Sequence, residues 1–406
     1  MSEVTAILAE VGAQVLDVGQ AIVHSQLVLG LLVRFPGASA AGGSSDQWAL
    51  SEVSALATRR DVGFEYRGVS SEDYEAWVGQ QGQPRYILTL LSPGLTADQL
   101  SAVSAITARH ELNILGIERL SNRVPLSAAQ TVDVDSPSVR ARASVAMTLR
   151  GTLADDEALK MELLAAGGDL DFDCSIQLDS VYRRNRRLVA FDMDSTLIQV
   201  EVIDELARLH GVYDQVAAIT ERAMAGELDF QESFRARVAL LKGVSQEALL
   251  RVADSVPLSE GAERLIDALQ HFGYKTALLS GGFQFVGERL ASRLGIDHVH
   301  ANALVFANGV ATGEVQGAIV DAAAKAHILR ELCAAEGIST EQAIALGDGA
   351  NDLPMLAAAG LGIAFHAKPV VRSSASHAIS QFGLDGVLYL LGFSDSEIEK
   401  SVSRRY

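Results

Sequence analysis

The stretch Leu188-Val189-Ala190-Phe191-Asp192-Met193-Asp194-Ser195-Thr196 reads as a buried strand that ends in two aspartates. A short continuous apolar run fits a parallel strand covered on both faces, so both carboxylates stand where its carboxyl end opens onto a loop. Two residues apart, Asp192 and Asp194 are close enough to share a cation. Burying both without one would drive a proton onto one of them. A hard divalent cation removes that cost, and Mg²⁺ accepts carboxylate oxygens while keeping waters for a phosphate ligand. Taken alone, the pair fits an exposed Asp-x-Asp turn better than a site. The rest of the chain reverses that preference.

Downstream of Asp194 the pattern is helical without strand signals: Ile203 to Leu209, Tyr213 to Met224, Phe230 to Leu241 and Gln246 to Ser255, closed by Pro257. This predicts a small helical insert at about 200–257. Strand and helix then alternate. Helices are expected at Gly261 to Phe272, Phe285 to Leu294, Lys325 to Glu336 and Leu353 to Ala359, and strands at Lys275 to Leu279, Ala343 to Leu346 and Leu361 to Phe365. Residues 298–320 alternate around Asn308-Gly309, a hairpin turn. Such alternation argues for a doubly wound parallel α/β sheet with ligands at the carboxyl ends of its strands.

Upstream, the chain reads as two similar units. In the second, Arg85 to Leu91 (strand), Thr96 to His110 (helix), Ile114 to Leu120 and Ala143 to Leu149 (strands), Asp155 to Ala166 (helix) and Phe172 to Leu178 (strand) give the order βαββαβ. The first has a helix at Val4 to Val11, strands at Gln14 to His24 and Leu27 to Arg34, a helix at Asp46 to Arg60 and a strand at Gly63 to Val69. It is the same order without an opening strand. Ser70 to Gln83 is the expected linker. The basic run Arg183 to Arg187 reads as a solvated junction before the Asp192 strand.

Composition narrows the class. With 406 residues and 49% hydrophobic content the chain can bury more than one core. Its 33 basic and 51 acidic residues give a formal charge of −18, which disfavours nucleic acid and anionic membranes as partners. A phosphate ligand would have to be attracted locally. Cys174 and Cys333 stand far apart with no metal-ligand spacing, and the start of the chain has no basic region or long apolar core. A soluble, cytoplasmic protein is expected.

Three further segments join Asp192/Asp194 at expected strand ends or helix starts. Ser280-Gly281-Gly282 offers a hydroxyl and unshielded N–H groups to phosphate oxygens. Lys325 offers a point cation. Gly347-Asp348-Gly349-Ala350-Asn351-Asp352 adds two carboxylates to the same layer. His298-Val299-His300 puts two imidazoles on one strand face, but without a nearby third ligand it fits the hairpin. No GxGxxG or early GxxxxGK[ST] supports a nucleotide cofactor.

Individually weak, the four segments in this order resemble the haloacid-dehalogenase superfamily of phosphohydrolases, whose cap domain corresponds to the helical insert. Glu201-Val202-Ile203-Asp204-Glu205-Leu206-Ala207, Met224-Ala225-Gly226, Phe230 to Val238 and Asp321 to Ala326 narrow the resemblance to the phosphoserine phosphatase family, over about residues 187–390. The βαββαβ units resemble ACT domains, and a tandem pair before such a phosphatase is a known arrangement. The implied boundaries are 1–72 for a partial ACT-like domain, 84–181 for a second, and 187–406 for the phosphatase.

The resemblance implies Mg²⁺-dependent hydrolysis of O-phospho-L-serine to L-serine and phosphate, the last step of serine biosynthesis. Asp192 is the implied nucleophile, forming an aspartyl-phosphate, and Asp194 the acid and base. The implied Mg²⁺ ligands are the Asp192 carboxylate, the Asp194 carbonyl and Asp348, with Asp352 orienting them. Ser280, the Gly281 amide and Lys325 bind the phosphoryl oxygens, and Asn351 places substrate or Lys325. In the cap, Glu201 pairs with the substrate ammonium and Arg237 with its carboxylate, while Met224 and Phe230 are apolar lid or cap-core residues. A homodimer with L-serine as effector is expected. The missing opening strand leaves a sheet edge that another chain could fill, unless the start codon lies upstream. Two alternatives stay open: a phosphatase for another small phosphomonoester, and an amino-acid sensor with a degenerate phosphatase domain.

Overall fold

The computed structural model describes residues 1–23, 26–36, 44–123 and 142–402. Its internal contacts divide the chain into two units, Met1–Gly79 and Gln80–Tyr406. No helix among the described residues is long and apolar enough to cross a membrane.

The first unit runs from helix Ser2–Glu10 into the antiparallel hairpin of β1 (Gln14–Val23) and β2 (Gln26–Arg34), then into helix Ser44–Arg59. Leu8, Ala49, Val53 and Leu56 are its buried apolar side chains. His24, expected to end the first strand, lies outside the described residues. Two expectations are corrected here. Gly63 to Val69 is not a strand: residues 62–70 carry no regular structure, and Phe64 and Tyr66 are exposed, stacked on each other at 5.8 Å. Alternation sets which side chains would share a face, but a strand also needs a neighbour for its N–H and C=O groups, and among the described residues β1 and β2 pair only with each other. Nor is Ser70 to Gln83 an open linker. It holds helix Ser71–Gln80, started by Ser70, whose Oγ accepts the Asp73 N–H (3.0 Å) and donates to the Asp73 carboxylate (2.7 Å).

The second unit opens with the expected βαββαβ order. Strands β3 (Arg85–Ser92), β4 (Asn113–Arg119), β5 (Ala143–Arg150) and β6 (Asp173–Leu178) form an antiparallel sheet in the order β4-β5-β3-β6. Helices Ala97–Arg109 and Asp156–Leu170 cover one face, started by Thr96 in a reciprocal cap with Gln99 and by Asp155. Leu88, Leu90, Met147 and Leu149 pack under these helices. The opposite face is also covered, because Leu91 belongs to the core of the following domain. That explains why β3 is an almost unbroken apolar run.

That following domain is built on β7 (Leu188–Phe191), β8 (Lys275–Phe283), β9 (His298–Ala307), β10 (Val310–Gln316), β11 (Ala343–Gly347), β12 (Leu361–Phe365) and β13 (His377–Ile379). Their order is β10-β9-β8-β7-β11-β12-β13, parallel throughout except for β10. Strand β10 returns from β9 through Asn308 and Gly309, whose φ of 53° and 78° suit a tight hairpin turn. From β7 the sheet grows one way to β8 and the other to β11, so the carboxyl end of β7 is the switch point where ligands bind in such sheets. Helices Val202–His210, Tyr213–Met224, Phe230–Ala239 and Gln246–Ser255 form the cap. Its two connections run side by side: the Gln199 N–H donates to Pro257 O (3.0 Å) and the Ser259 N–H to Leu197 O (2.9 Å).

The basic junction is not wholly solvated, a third correction. Arg186 is 5% exposed and donates to Gln177 Oε1 (3.0 Å), joining β6 to the core. Nearby, Asp173 accepts the Ser380 and Gln381 N–H groups (2.8 and 2.6 Å), and Asp385 pairs with Arg142 (2.6 Å) and Arg264 (2.8 Å). His377 on β13 meets Ser175 Oγ through Nδ1 at 2.9 Å. Burial, helped by the Lys160 and Arg186 charges, pushes the His377 pKa down to about 3.

Held neutral when folded, His377 takes up a proton near pH 6.5 once the chain unfolds, so its contribution is present above 6.5 and lost as pH falls toward 3. Between pH 7 and pH 5 this costs about 2 kcal/mol. Urea denaturation at both pH values should show His377→Gln losing that much less stability than wild type. Equal losses would remove His377 as the cause.

Candidate active site

Asp192 and Asp194, the Ser280 loop, Lys325 and the Asp348–Asp352 turn meet at the carboxyl edge of the sheet. Asp192 follows β7 directly, is 5% exposed, and is fixed by its N–H donating to Leu346 O on β11 (2.9 Å). Lys325, in the first turns of helix Ala322–Ala335, is fully buried and bridges Asp192 Oδ1 and Asp352 Oδ1, each at 2.7 Å. Asp348 and Asp352 follow β11. One carboxylate oxygen each from Asp192, Asp348 and Asp352 lies within 4.8 Å of the others.

Two of these three neighbouring carboxylates share one ammonium. Burial alone would lower the Lys325 pKa, but Asp192 and Asp352 more than reverse this and hold it above the ordinary lysine value. Burial and the Asp352 charge push Asp192 upward, against the pull of Lys325. Asp348 is raised to about 6, first by burial and then by Asp352 and Glu201. The cluster lacks positive charge, and its all-oxygen donor set fits a hard divalent cation.

Asp194 sits in a turn that breaks after β7: Ser195 adopts φ +56°, rare for a residue with a side chain. Its Oδ1 accepts the Val202 N–H (3.0 Å) at the start of the first cap helix. Burial, then the Glu201 charge, pushes its carboxyl up to about 8. Ser195 and Thr196, to which the sequence reading gave no role, both hold site residues. The Ser195 hydroxyl donates to Glu201 Oε1 (2.9 Å), and the Thr196 hydroxyl to Asp348 Oδ1 (3.2 Å).

Ser280 is fully buried, and its Oγ accepts the Gly282 N–H at 2.9 Å. Both glycines are required by close approach. A Cβ on Gly282 would collide with Asp194 Oδ2, and one on Gly281 would come within 2.9 Å of Phe230 Cζ. Phe230 therefore reaches from the cap onto the Ser280 loop, and it also packs against the core. Gln231 beside it donates to Asp321 Oδ2 (2.8 Å), a cap-to-core bond absent from the sequence reading. Met224, the other expected lid or cap-core residue, is 70% exposed.

Arg237 lies on cap helix Phe230–Ala239 with Nε buried and no hydrogen-bond partner. Burial lowers its pKa, while the charges of Glu201, Asp204 and Asp194 act to raise it. Asn351 stands in the turn after β11 with its Oδ1 against Gly349.

A family profile described as haloacid dehalogenase-like hydrolase matches residues 186–360, and one described as ACT domain matches residues 1–61. The chain is 37% identical over 401 residues to a phosphoserine phosphatase of Streptomyces coelicolor, covering 97% of this chain and 88% of that protein. It is 38% identical over 400 residues to one of Mycobacterium tuberculosis, covering 97% and 90%. Among solved structures, a probable phosphoserine phosphatase of Vibrio cholerae in unliganded form is similar at a TM-score of 0.59 and 34% identity, over 78% of this chain and 88% of that one. A hydrolase of the same superfamily from Salmonella enterica serovar Typhi is similar at 0.62 and 32% identity, over 75% and 98%.

Proposed function

The chain belongs to the phosphoserine phosphatase family of haloacid dehalogenase-like hydrolases, and from that premise we propose that it hydrolyses O-phospho-L-serine to L-serine and phosphate through an aspartyl-phosphate. One observation carries the choice of substrate. Arg237 Nε is buried in the cap without a hydrogen-bond partner, and the Glu201 charge acts on the guanidinium, so a cation with an open donor and a carboxylate suit a group bearing both charges.

Asp192, oriented by Lys325, attacks phosphorus as the bond to the serine oxygen breaks. Asp194, raised to about 8, gives that oxygen its proton. Water then attacks the phosphorus of the aspartyl-phosphate and yields a proton to Asp194; phosphate leaves and the Asp192 carboxylate is restored. Ser280, the Gly281 N–H and Lys325 hold the other phosphoryl oxygens where charge must be stabilised. Asn351 places substrate or Lys325. Asp192, Asp348 and the Asp194 carbonyl would hold Mg²⁺, which supplies charge neutralisation to the phosphoryl group. Asp352 orients this set: its oxygens are already engaged by Lys325 and by the Gly349 N–H at 3.0 Å.

Arg237→Ala should raise KM for O-phospho-L-serine by roughly 10²-fold, the worth of a charge-assisted fork, while leaving KM for phosphoethanolamine, which lacks the carboxylate, less changed. Equal wild-type kcat/KM on the two substrates would overturn the amino-acid assignment. No phosphate release from any small monoester in the presence of Mg²⁺ would favour the sensor reading instead.

The reading extends to the last step of serine biosynthesis in the cytoplasm, with L-serine as effector at the ACT-like units and a homodimer as the working form. Among the described residues the β1–β2 hairpin pairs only with itself, and such edges are open to a second copy. Elution as a monomer at micromolar concentration would contradict the dimer, and kinetics unchanged by L-serine would contradict the effector.

A further inference from the structure

The register between β8 and β9 breaks at the Ser280 loop. Leu279 pairs with His300 and Phe283 with Asn302, so three residues of β8 lie between ladder partners that β9 separates by one. The backbone of 280–282 therefore leaves the ladder, and its polar groups need other partners. A side chain supplies them. Asn302 is 1% exposed; its Nδ2 donates to Gly281 O at 2.8 Å, and its Oδ1 accepts the Val320 N–H at 2.8 Å.

The carbonyl that Asn302 holds and the Gly282 N–H belong to one peptide unit, and that N–H donates to Ser280 Oγ at 2.9 Å. Fixing the carbonyl fixes the N–H, which occupies a lone pair of Oγ and leaves the hydroxyl proton for an outside acceptor. The same peptide lies between Asp194 Oδ2, against Gly282, and Phe230 of the cap, against Gly281. Through Val320 the amide also grips the chain just before Asp321, the cap residue of the helix that carries Lys325.

We propose that Asn302 is a positioning residue for phosphoryl transfer: its amide ties the Ser280–Gly282 loop to the segment that starts the Lys325 helix. This rests on the reading of Ser280 and Lys325 as phosphoryl ligands. It acts through them and does not touch the substrate. The substrate's ammonium and carboxylate are held elsewhere, so loss of Asn302 should act on kcat more than on KM.

The test compares wild type, Asn302→Ala, Ser280→Ala and the double variant on O-phospho-L-serine with Mg²⁺. Asn302→Ala should lower kcat roughly 10²-fold, the loss typical of one transition-state donor, with KM within about threefold. Because Asn302 acts through Ser280, the double variant should be little worse than Ser280→Ala alone. Independent, multiplying effects would overturn the proposal, as would an Asn302→Ala enzyme with wild-type kcat. Wild-type kcat in Ser280→Ala would instead sink the phosphoryl-ligand reading.

Should Asn302→Ala fail to fold, Asn302→Asp decides. A protonated carboxyl can donate to Gly281 O and accept from Val320, whereas the ionised form repels the carbonyl. Its kcat relative to wild type should therefore rise as pH falls, and a ratio flat with pH overturns the proposal.

Discussion

Asp192→Asn should lose at least about 10⁴-fold in kcat on O-phospho-L-serine while remaining folded. The amide has nearly the shape of the carboxylate but cannot attack phosphorus, and loss of a nucleophile is among the largest single-residue effects in hydrolases. Stability should move the other way. Asp192 and Asp352 share the Lys325 ammonium with Asp348 close by, so without a divalent cation the native cluster carries excess negative charge. Removing one carboxylate relieves it. In chelator-treated protein the variant should melt no lower than wild type, a trade of stability for activity expected where a site is built against its own repulsion. Turnover surviving the substitution would refute the assignment of the nucleophile.

Lys325→Ala has the opposite sign in stability. Fully buried and bonded to both Asp192 and Asp352, Lys325 leaves two desolvated carboxylates unpaired when truncated. Breaking a buried pair from one side costs about 3–5 kcal/mol, and loss of the phosphoryl cation should cost roughly 10³-fold in kcat. Lys325→Arg should rescue neither, because a planar fork does not replace a compact ammonium held between two oxygens. Urea denaturation and steady-state rates check both effects. A stable Lys325→Ala enzyme within tenfold of wild type would contradict the bridging role.

The site was legible because its carboxylates and hydroxyl follow short apolar strands and its lysine opens a helix, and strand ends and helix starts can be located from local pattern. Asp192, Ser280 and Asp348 converge because β7, β8 and β11 are adjacent and parallel, and Lys325 joins them from its helix by pairing with Asp192 and Asp352. What escaped depends on partners distant in sequence. Asn302 sits in an alternating strand with no mark of its role until the β8–β9 register is known. Arg186 looked solvated within a basic run, yet Gln177 and the edge of the core bury it. Gly63 to Val69 has strand alternation but lacks a strand to pair with. The helix Ser71–Gln80 was a different kind of miss, since Ser70 followed by Asp73 is a readable helix start. There the nearby glycines outweighed the cap. The elements after Phe365, helices Pro369–Ser374, Gly386–Leu390 and Asp395–Val402 with β13, are short and are held by Asp173, Arg142 and Arg264 from other segments.

The aspartyl-phosphate is the step on which the mechanistic account depends, and the configuration at phosphorus tests it without requiring the intermediate to accumulate. The phosphorothioate analogue of O-phospho-L-serine, made chiral at phosphorus with sulfur, ¹⁶O and ¹⁸O and hydrolysed in ¹⁷O-water, gives chiral thiophosphate. Two in-line displacements, first by Asp192 and then by water, each invert phosphorus, so the account predicts net retention. Net inversion would mean that water attacks the substrate directly, and Asp192 would then be no nucleophile.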